Sequence, residues 1–182
     1  MKRFIIMMVG KTHSGKTSFA KELENSLEQA VMIDQDTHAF FLQNHYPKLI
    51  PKTGSNDLKH AITQTIVDYT VNETDAHLIL SNANLERSSR TRLLNYYQER
   101  EFTSIIVYFD LPETLLRERI ARGNRDAVIL RTVSSFEQVL DRQMRLGKAE
   151  EPSADEADHL LVIRDVNDLG YIMVKILNTV QN

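Results

Sequence analysis

The sequence predicts an α/β fold, a three-layer α/β/α sandwich on a five-stranded parallel sheet. Three observations carry that prediction. Five short apolar runs recur along the chain: Phe4–Val9, Ala30–Ile33, His77–Ser81, Ser104–Phe109 and His159–Ile163. Between them lie longer segments with apolar residues at helical spacing, the alternation of a parallel sheet with crossover helices. The first run ends in a glycine-bounded turn that opens directly onto a helical stripe.

Phe4-Ile5-Ile6-Met7-Met8-Val9 is apolar without alternation, as a strand covered on both faces must be. Gly10-Lys11-Thr12-His13-Ser14-Gly15-Lys16-Thr17 follows and reads G-x-x-x-x-G-K-[ST], a phosphate-binding loop. Phe19, Ala20, Leu23 and Leu27 then form the inner face of a helix. Strand, loop and helix therefore come in the order the chemistry needs. Successive loop N–H groups make a concave anion site, and the helix points its positive end at it. Gly10, Lys11, Thr12, His13, Ser14 and Gly15 supply that cradle. The Lys16 ammonium is placed to reach the β- and γ-phosphates of a nucleotide, and the Thr17 hydroxyl to ligate Mg²⁺.

Asp34-Gln35-Asp36 follows the second run. Carboxylates just past the carboxyl end of a strand in an open α/β sheet lie where ligands bind. In a phosphotransferase a base meets the substrate hydroxyl there. Asp36 is also placed to cap the helix that starts near Thr37. Residues 37 to 57 read as a short helix and an irregular segment; their aromatics line an acceptor pocket or form local core. Asn56 or Asp57 caps the next helix, whose expected stripe is Ile62, Ile66 and Tyr69.

The third run ends in Ser81-Asn82-Ala83-Asn84-Leu85, with neutral polar groups where many phosphate-loop proteins carry an acid. A helix over Ser88 to Arg100 turns Leu93, Leu94 and Tyr97 inward and its arginines elsewhere. After the fourth run, Asp110 and Glu113 have capping-box spacing. The helix they open carries Arg117, Arg119 and Arg122, then Gly123 and Arg125. Arginines at a helix end before glycine fit a lid over a nucleotide, neutralising charge on a transferring phosphoryl group. Ser134-Ser135-Phe136-Glu137 opens a further helix that stops at Gly147. The acidic stretch from Lys148 to Asp158 reads as a solvated loop. Leu169, Ile172, Met173, Ile176, Leu177 and Val180 mark a closing helix.

With 182 residues and 42% hydrophobic content, the chain is expected to form one domain, 1–182. A net charge of −3 excludes a broad basic field for avid nucleic-acid binding. Cysteine is absent, which removes disulfides and thiolate metal sites and suits a reducing cytoplasm. The N-terminal apolar run is too short for a signal-peptide core or a membrane span. Of the six histidines, His38, His45 and His60 have no metal-ligand spacing.

Taken together these features resemble the phosphate-loop kinases of the polynucleotide-kinase and zeta-toxin type, an ATP-binding family of the AAA_33 type. The resemblance covers roughly Met1 to Asp158 and implies the P-loop NTPase fold with strand order 2-3-1-4-5. It implies that Asp36 is the general base, with Asp34 as second candidate. Ala121-Arg122-Gly123 matches the family's lid sequence, so the lid is expected around 119–133, with Arg122 and Arg125 on the nucleotide. Two departures stand out: Asn82 replaces an acidic residue, and Thr37-His38-Ala39 lacks the arginine that grips a nucleic-acid acceptor's phosphate.

The sequence thus predicts an ATP- and Mg²⁺-dependent kinase acting on a hydroxyl of a small or nucleotide-like acceptor. Nucleic acid is possible but not favoured, and no membrane partner is expected. A GTPase-like switch lacks its D-x-x-G, and its guanine-reading motif is absent too: Asn72-Glu73-Thr74-Asp75 precedes its strand and has no lysine. A non-catalytic ATP-binding protein is the other alternative.

Overall fold

The computed structural model describes residues 2–123, 135–147 and 150–181. Arg125 and residues 124–133 of the expected lid lie outside the described residues. In chain order the elements are β1 (Arg3–Gly10), α1 (Lys16–Ser26), β2 (Ala30–Ile33), α2 (Gln35–His45), a 3₁₀ turn (Pro47–Leu49), α3 (Asp57–Glu73), β3 (His77–Leu80), α4 (Arg87–Gln98), β4 (Phe102–Phe109), α5 (Glu113–Arg122), α6 (Phe136–Met144), β5 (His159–Ile163) and α7 (Asp168–Gln181). The strands form one five-stranded parallel sheet in the order β2-β3-β1-β4-β5. This is the order the family resemblance implies.

The unbroken apolar runs are explained by burial on both faces. Phe4, Ile6 and Met8 of β1 pack with Phe19 and Leu23 of α1, Leu116 of α5, Leu140 of α6 and Ile176 of α7. Ile5, Met7 and Val9 point the other way, against Val67 and Val71 of α3 and Leu94 and Tyr97 of α4. β1 is central, so the loop that follows it is anchored by a strand with no exposed edge.

Four expectations are corrected by the packing. The buried face of α3 is Thr63, Val67, Thr70 and Val71, whereas Tyr69 is exposed. The threonine hydroxyls donate to carbonyls one turn back, Thr63 to Lys59 and Thr70 to Ile66, so they pack as well as apolar side chains. Asp110 does not cap α5. Its N–H donates to the Ile163 carbonyl and so prolongs the sheet, and its carboxylate lies 3.7 Å from Arg164. Phe40, Phe41, Tyr46 and Leu49 are exposed rather than local core; Leu42 alone of α2 is buried.

The acidic stretch is a clasp, not a solvated loop. Arg90 of α4 is 0% exposed and forms a two-pronged pair with Glu156 at 2.8 and 2.9 Å. Burial opposes the Glu156 charge, but the Arg90 hydrogen bonds and the Ser153 N–H outweigh it and hold the carboxyl below its usual range. Asp158 accepts from both the N–H and the hydroxyl of Ser104 at 2.8 and 2.7 Å. Arg87 adds an exposed pair with Asp155.

Candidate active site

The loop geometry follows from its glycines. A Cβ on Gly10 would lie 2.9 Å from the Phe109 Cβ and 3.1 Å from the Phe109 carbonyl, so only glycine lets β1 turn beside β4 here. Gly15 precedes α1 with φ 97°, a left-handed conformation that other residues resist. His13 is left-handed as well, with φ 58°. The turn leaves the α1 N-terminus open, with no side-chain cap and no acidic residue in its first turn. That end is a ready anion site.

Lys16 is 8% exposed and curls back over the loop. Its Nζ donates to the Lys11 carbonyl at 2.7 Å and the Ser14 hydroxyl at 3.1 Å. An incoming phosphate would offer this ammonium a charged acceptor, a stronger hydrogen bond than the Lys11 carbonyl or the Ser14 hydroxyl provides. The Thr17 hydroxyl accepts from Ser81 Oγ at 3.3 Å.

The loop is braced on three sides. From the β3–α4 connection, Ala83 accepts the Gly10 N–H at 3.0 Å, and Asn84 Nδ2 donates to the Met8 carbonyl at 2.9 Å. Arg90 holds that connection by donating to the Asn84 and Leu85 carbonyls. From α5, Arg119 Nη1 donates to the His13 carbonyl at 3.1 Å. From α6, Gln143 accepts the Thr12 N–H at 2.7 Å, and Phe136 meets the His13 ring edge-on at 4.9 Å.

Beside the loop runs a cleft of about 970 Å³. Its walls are the loop from His13 to Thr17, the outer face of α1 at Glu22, Arg119, and the start of α7 at Leu169 and Gly170. Among the expected arginines, Arg119 lines this cleft. Arg122 does not; its side chain is 81% exposed and pairs with Glu118 at 3.6 Å. Helix rotation, invisible in a string of arginines, decides which of them faces the loop.

Asp34 is 5% exposed and is the N-cap of α2, accepting the Asp36 N–H at 2.9 Å. The capping role expected of Asp36 therefore belongs to Asp34, because the helix starts at Gln35. Asp36 sits half-buried in the first helical turn. Nearby, His38 Nδ1 and Thr63 Oγ1 are 2.7 Å apart. Thr63 already donates to Lys59, so His38 is the donor in that pair. Burial lowers the His38 pKa, Lys59 lowers it further, and Asp34 works against both.

Among the described residues, no cluster of three or more His, Asp or Glu side chains could hold a metal alone. The donor set around Thr17 does fit Mg²⁺, which keeps several waters and takes the rest of its shell from phosphates and one or two protein oxygens. Among the described residues, no helix is long and apolar enough to cross a membrane.

Solved structures share this architecture at low identity. Kti12 from Chaetomium thermophilum in complex with ADP-AlF3 is 18% identical with a TM-score of 0.65, covering 96% of this chain and 97% of that one. The tunicamycin resistance protein of Deinococcus radiodurans is 17% identical with a TM-score of 0.59, covering 98% and 96%. Shikimate kinase from Acinetobacter baumannii in complex with shikimate is 18% identical with a TM-score of 0.57, covering 98% and 93%. No curated protein matches the sequence. A family model described as an AAA domain matches residues 5–145, which is most of the chain, and the protein therefore belongs to that family, AAA_33.

Proposed function

We propose that this protein is a Mg²⁺-ATP-dependent phosphotransferase acting on a hydroxyl of a small acceptor, and that residues 1–182 form one domain with a lid around 119–133. The observation that carries the reading is the pairing of two features at one sheet edge. A glycine loop with Lys16 and Thr17 opens onto a cleft, and the next strand in the chain leads into Asp34, the cap of α2, and Asp36 in its first turn.

In this reading the loop amides from Gly10 to Thr17 and the Lys16 ammonium hold the β- and γ-phosphates. Thr17 holds Mg²⁺, which when bound neutralises phosphate charge. Arg119 secures the nucleotide in the cleft. Asp36 accepts the proton of the acceptor hydroxyl as its oxygen bonds to the γ-phosphorus, and the bond to the β-phosphate oxygen breaks to release ADP. Arg122 and Arg125 neutralise charge on the transferring group. Positioning and preorganised charge supply most of the rate. ATP is favoured over GTP because the sequence has no guanine-reading motif. The cysteine-free chain suits the cytoplasm.

The neutral Ser81 and Asn82 at the end of β3 favour one other reading, an ATP-binding protein without transfer. ADP release measured with and without a panel of nucleosides, sugars, antibiotics and 5′-hydroxyl oligonucleotides separates the two. Acceptor-dependent release supports the kinase. ATP binding with no release under any acceptor supports the alternative.

A further inference from the structure

On the face of the sheet opposite α1 lies a second cavity, of about 250 Å³, between α3 and α4. It reaches the carboxyl ends of β2 and β3 at Ile33 and Leu80. Its rim includes Gln35, which stands between Asp34 and Asp36, and Asn82, which follows Ser81. Ser81 is the residue whose hydroxyl lies 3.3 Å from Thr17. The cavity and the nucleotide cleft therefore approach the same sheet edge from opposite faces. We infer that this cavity binds the phosphoryl acceptor, and that the acceptor is a small hydroxyl-rich molecule with one anionic group. The inference rests on the phosphotransferase reading and names its substrate class.

Size is the first argument. The cavity is smaller than the roughly 300–1,000 Å³ of sites for drug-sized ligands, which excludes a strand of nucleic acid and favours a sugar-sized molecule. Polarity is the second. Among the described residues, the half-buried side-chain amides of Gln35 and Asn82 have no hydrogen-bond partner in the fold. Each offers both donors and an acceptor, the match for hydroxyls. Below them the floor is apolar, made by Val67, Leu93 and Tyr97, and suits the carbon face of a ring or chain. Charge is the third. No carboxylate lines the cavity among the described residues, and Arg92 at its outer edge has no ion pair among them. A guanidinium so placed pairs with a planar carboxylate or a phosphate through two parallel hydrogen bonds.

The test uses the full chain with Mg²⁺-ATP. Probes are polyhydroxylated monocarboxylates and sugar phosphates, each beside its neutral polyol counterpart, together with a 5′-hydroxyl oligonucleotide. The expected result is ADP release driven by at least one anionic probe and not by the oligonucleotide. For that probe Arg92→Gln raises KM on the order of tenfold with kcat nearly unchanged, the loss of one charged hydrogen-bonding partner. Carboxylate against phosphate probes identifies the anion. Val67→Phe, which fills the floor, abolishes use of the probe while calorimetric ATP affinity stays at the wild-type value. If Val67→Phe does not fold, Arg92→Gln decides, because its side chain is exposed. The inference is overturned if the oligonucleotide is the acceptor, if Arg92→Gln leaves KM unchanged, or if ATP binds but no anionic probe releases ADP. Failure of wild-type protein to bind ATP overturns the underlying reading instead.

Discussion

Asp34 and Asp36 stand two residues apart, and the fold separates their jobs. Asp34 caps α2, so Asp34→Ala should cost about 1 kcal/mol of stability, whereas Asp34→Asn keeps a capping oxygen and should cost little. Urea denaturation of the two variants checks this. Asp36 is not the cap, and in the proposed reading its carboxylate takes the proton of the acceptor hydroxyl. Asp36→Asn should keep ATP affinity and lower transfer by roughly 10²–10⁴ once an acceptor is in hand. Wild-type turnover in Asp36→Asn would remove the base assignment. Arg119→Ala should weaken ATP binding, because Arg119 lines the cleft; Arg122→Ala should leave affinity alone and lower kcat. Calorimetry beside single-turnover rates distinguishes the pair. The loop residues were legible in the sequence because eight consecutive positions encode a local backbone shape. The role of Arg119 was not, since it depends on how α5 is rotated against a loop 106 residues away.

Among the elements, the β3–α4 connection links the far end of the chain to the phosphate loop. Glu156 pairs with Arg90, Arg90 holds the Asn84 and Leu85 carbonyls, and Asn84 and Ala83 hold β1 and Gly10. Arg90→Met removes the two-pronged partner of the Glu156 side chain, which is 2% exposed, and leaves it only the longer 3.8 Å pair with Arg87. The expected cost is about 3–5 kcal/mol, and adding Glu156→Leu should recover part of it by removing the stranded charge. Denaturant midpoints of the single and double variants measure both. Equal midpoints for wild type and Arg90→Met would show that the pair is dispensable. Spacing could not reveal this clasp, because its partners are 66 residues apart and an acidic run looks the same whether solvated or bonded. Element identities were easier to read: apolar runs became strands, Asn56, one of the two caps the sequence offered, caps α3, and Ser135, one residue past the start of the expected Ser134–Glu137 box, caps α6. The α3 stripe was misread because two threonines bury as if apolar.

For the whole molecule, the parallel alternation predicted the layers, but strand order came only from family resemblance, since periodicity carries no information about neighbours. Global stability should also depend on pH through two histidines. His77 is 5% exposed and its Nδ1 accepts the Phe4 N–H at 3.2 Å. Burial lowers its pKa below the ordinary 6.5, as burial chiefly does for His38. The unfolded chain therefore takes up these protons first, and stability should fall as pH drops from 6.5 through the lower folded values. Urea midpoints measured across that range check the sign, and His77→Gln, which retains an acceptor, should flatten the dependence. The measurement that tests the central claim most directly is calorimetric titration of Mg²⁺-ATP into the wild-type protein and a folded Lys16→Ala variant. The account predicts clear binding to wild type and a large loss in Lys16→Ala at unchanged melting temperature. Absent binding to wild type, or equal binding to both, would contradict it.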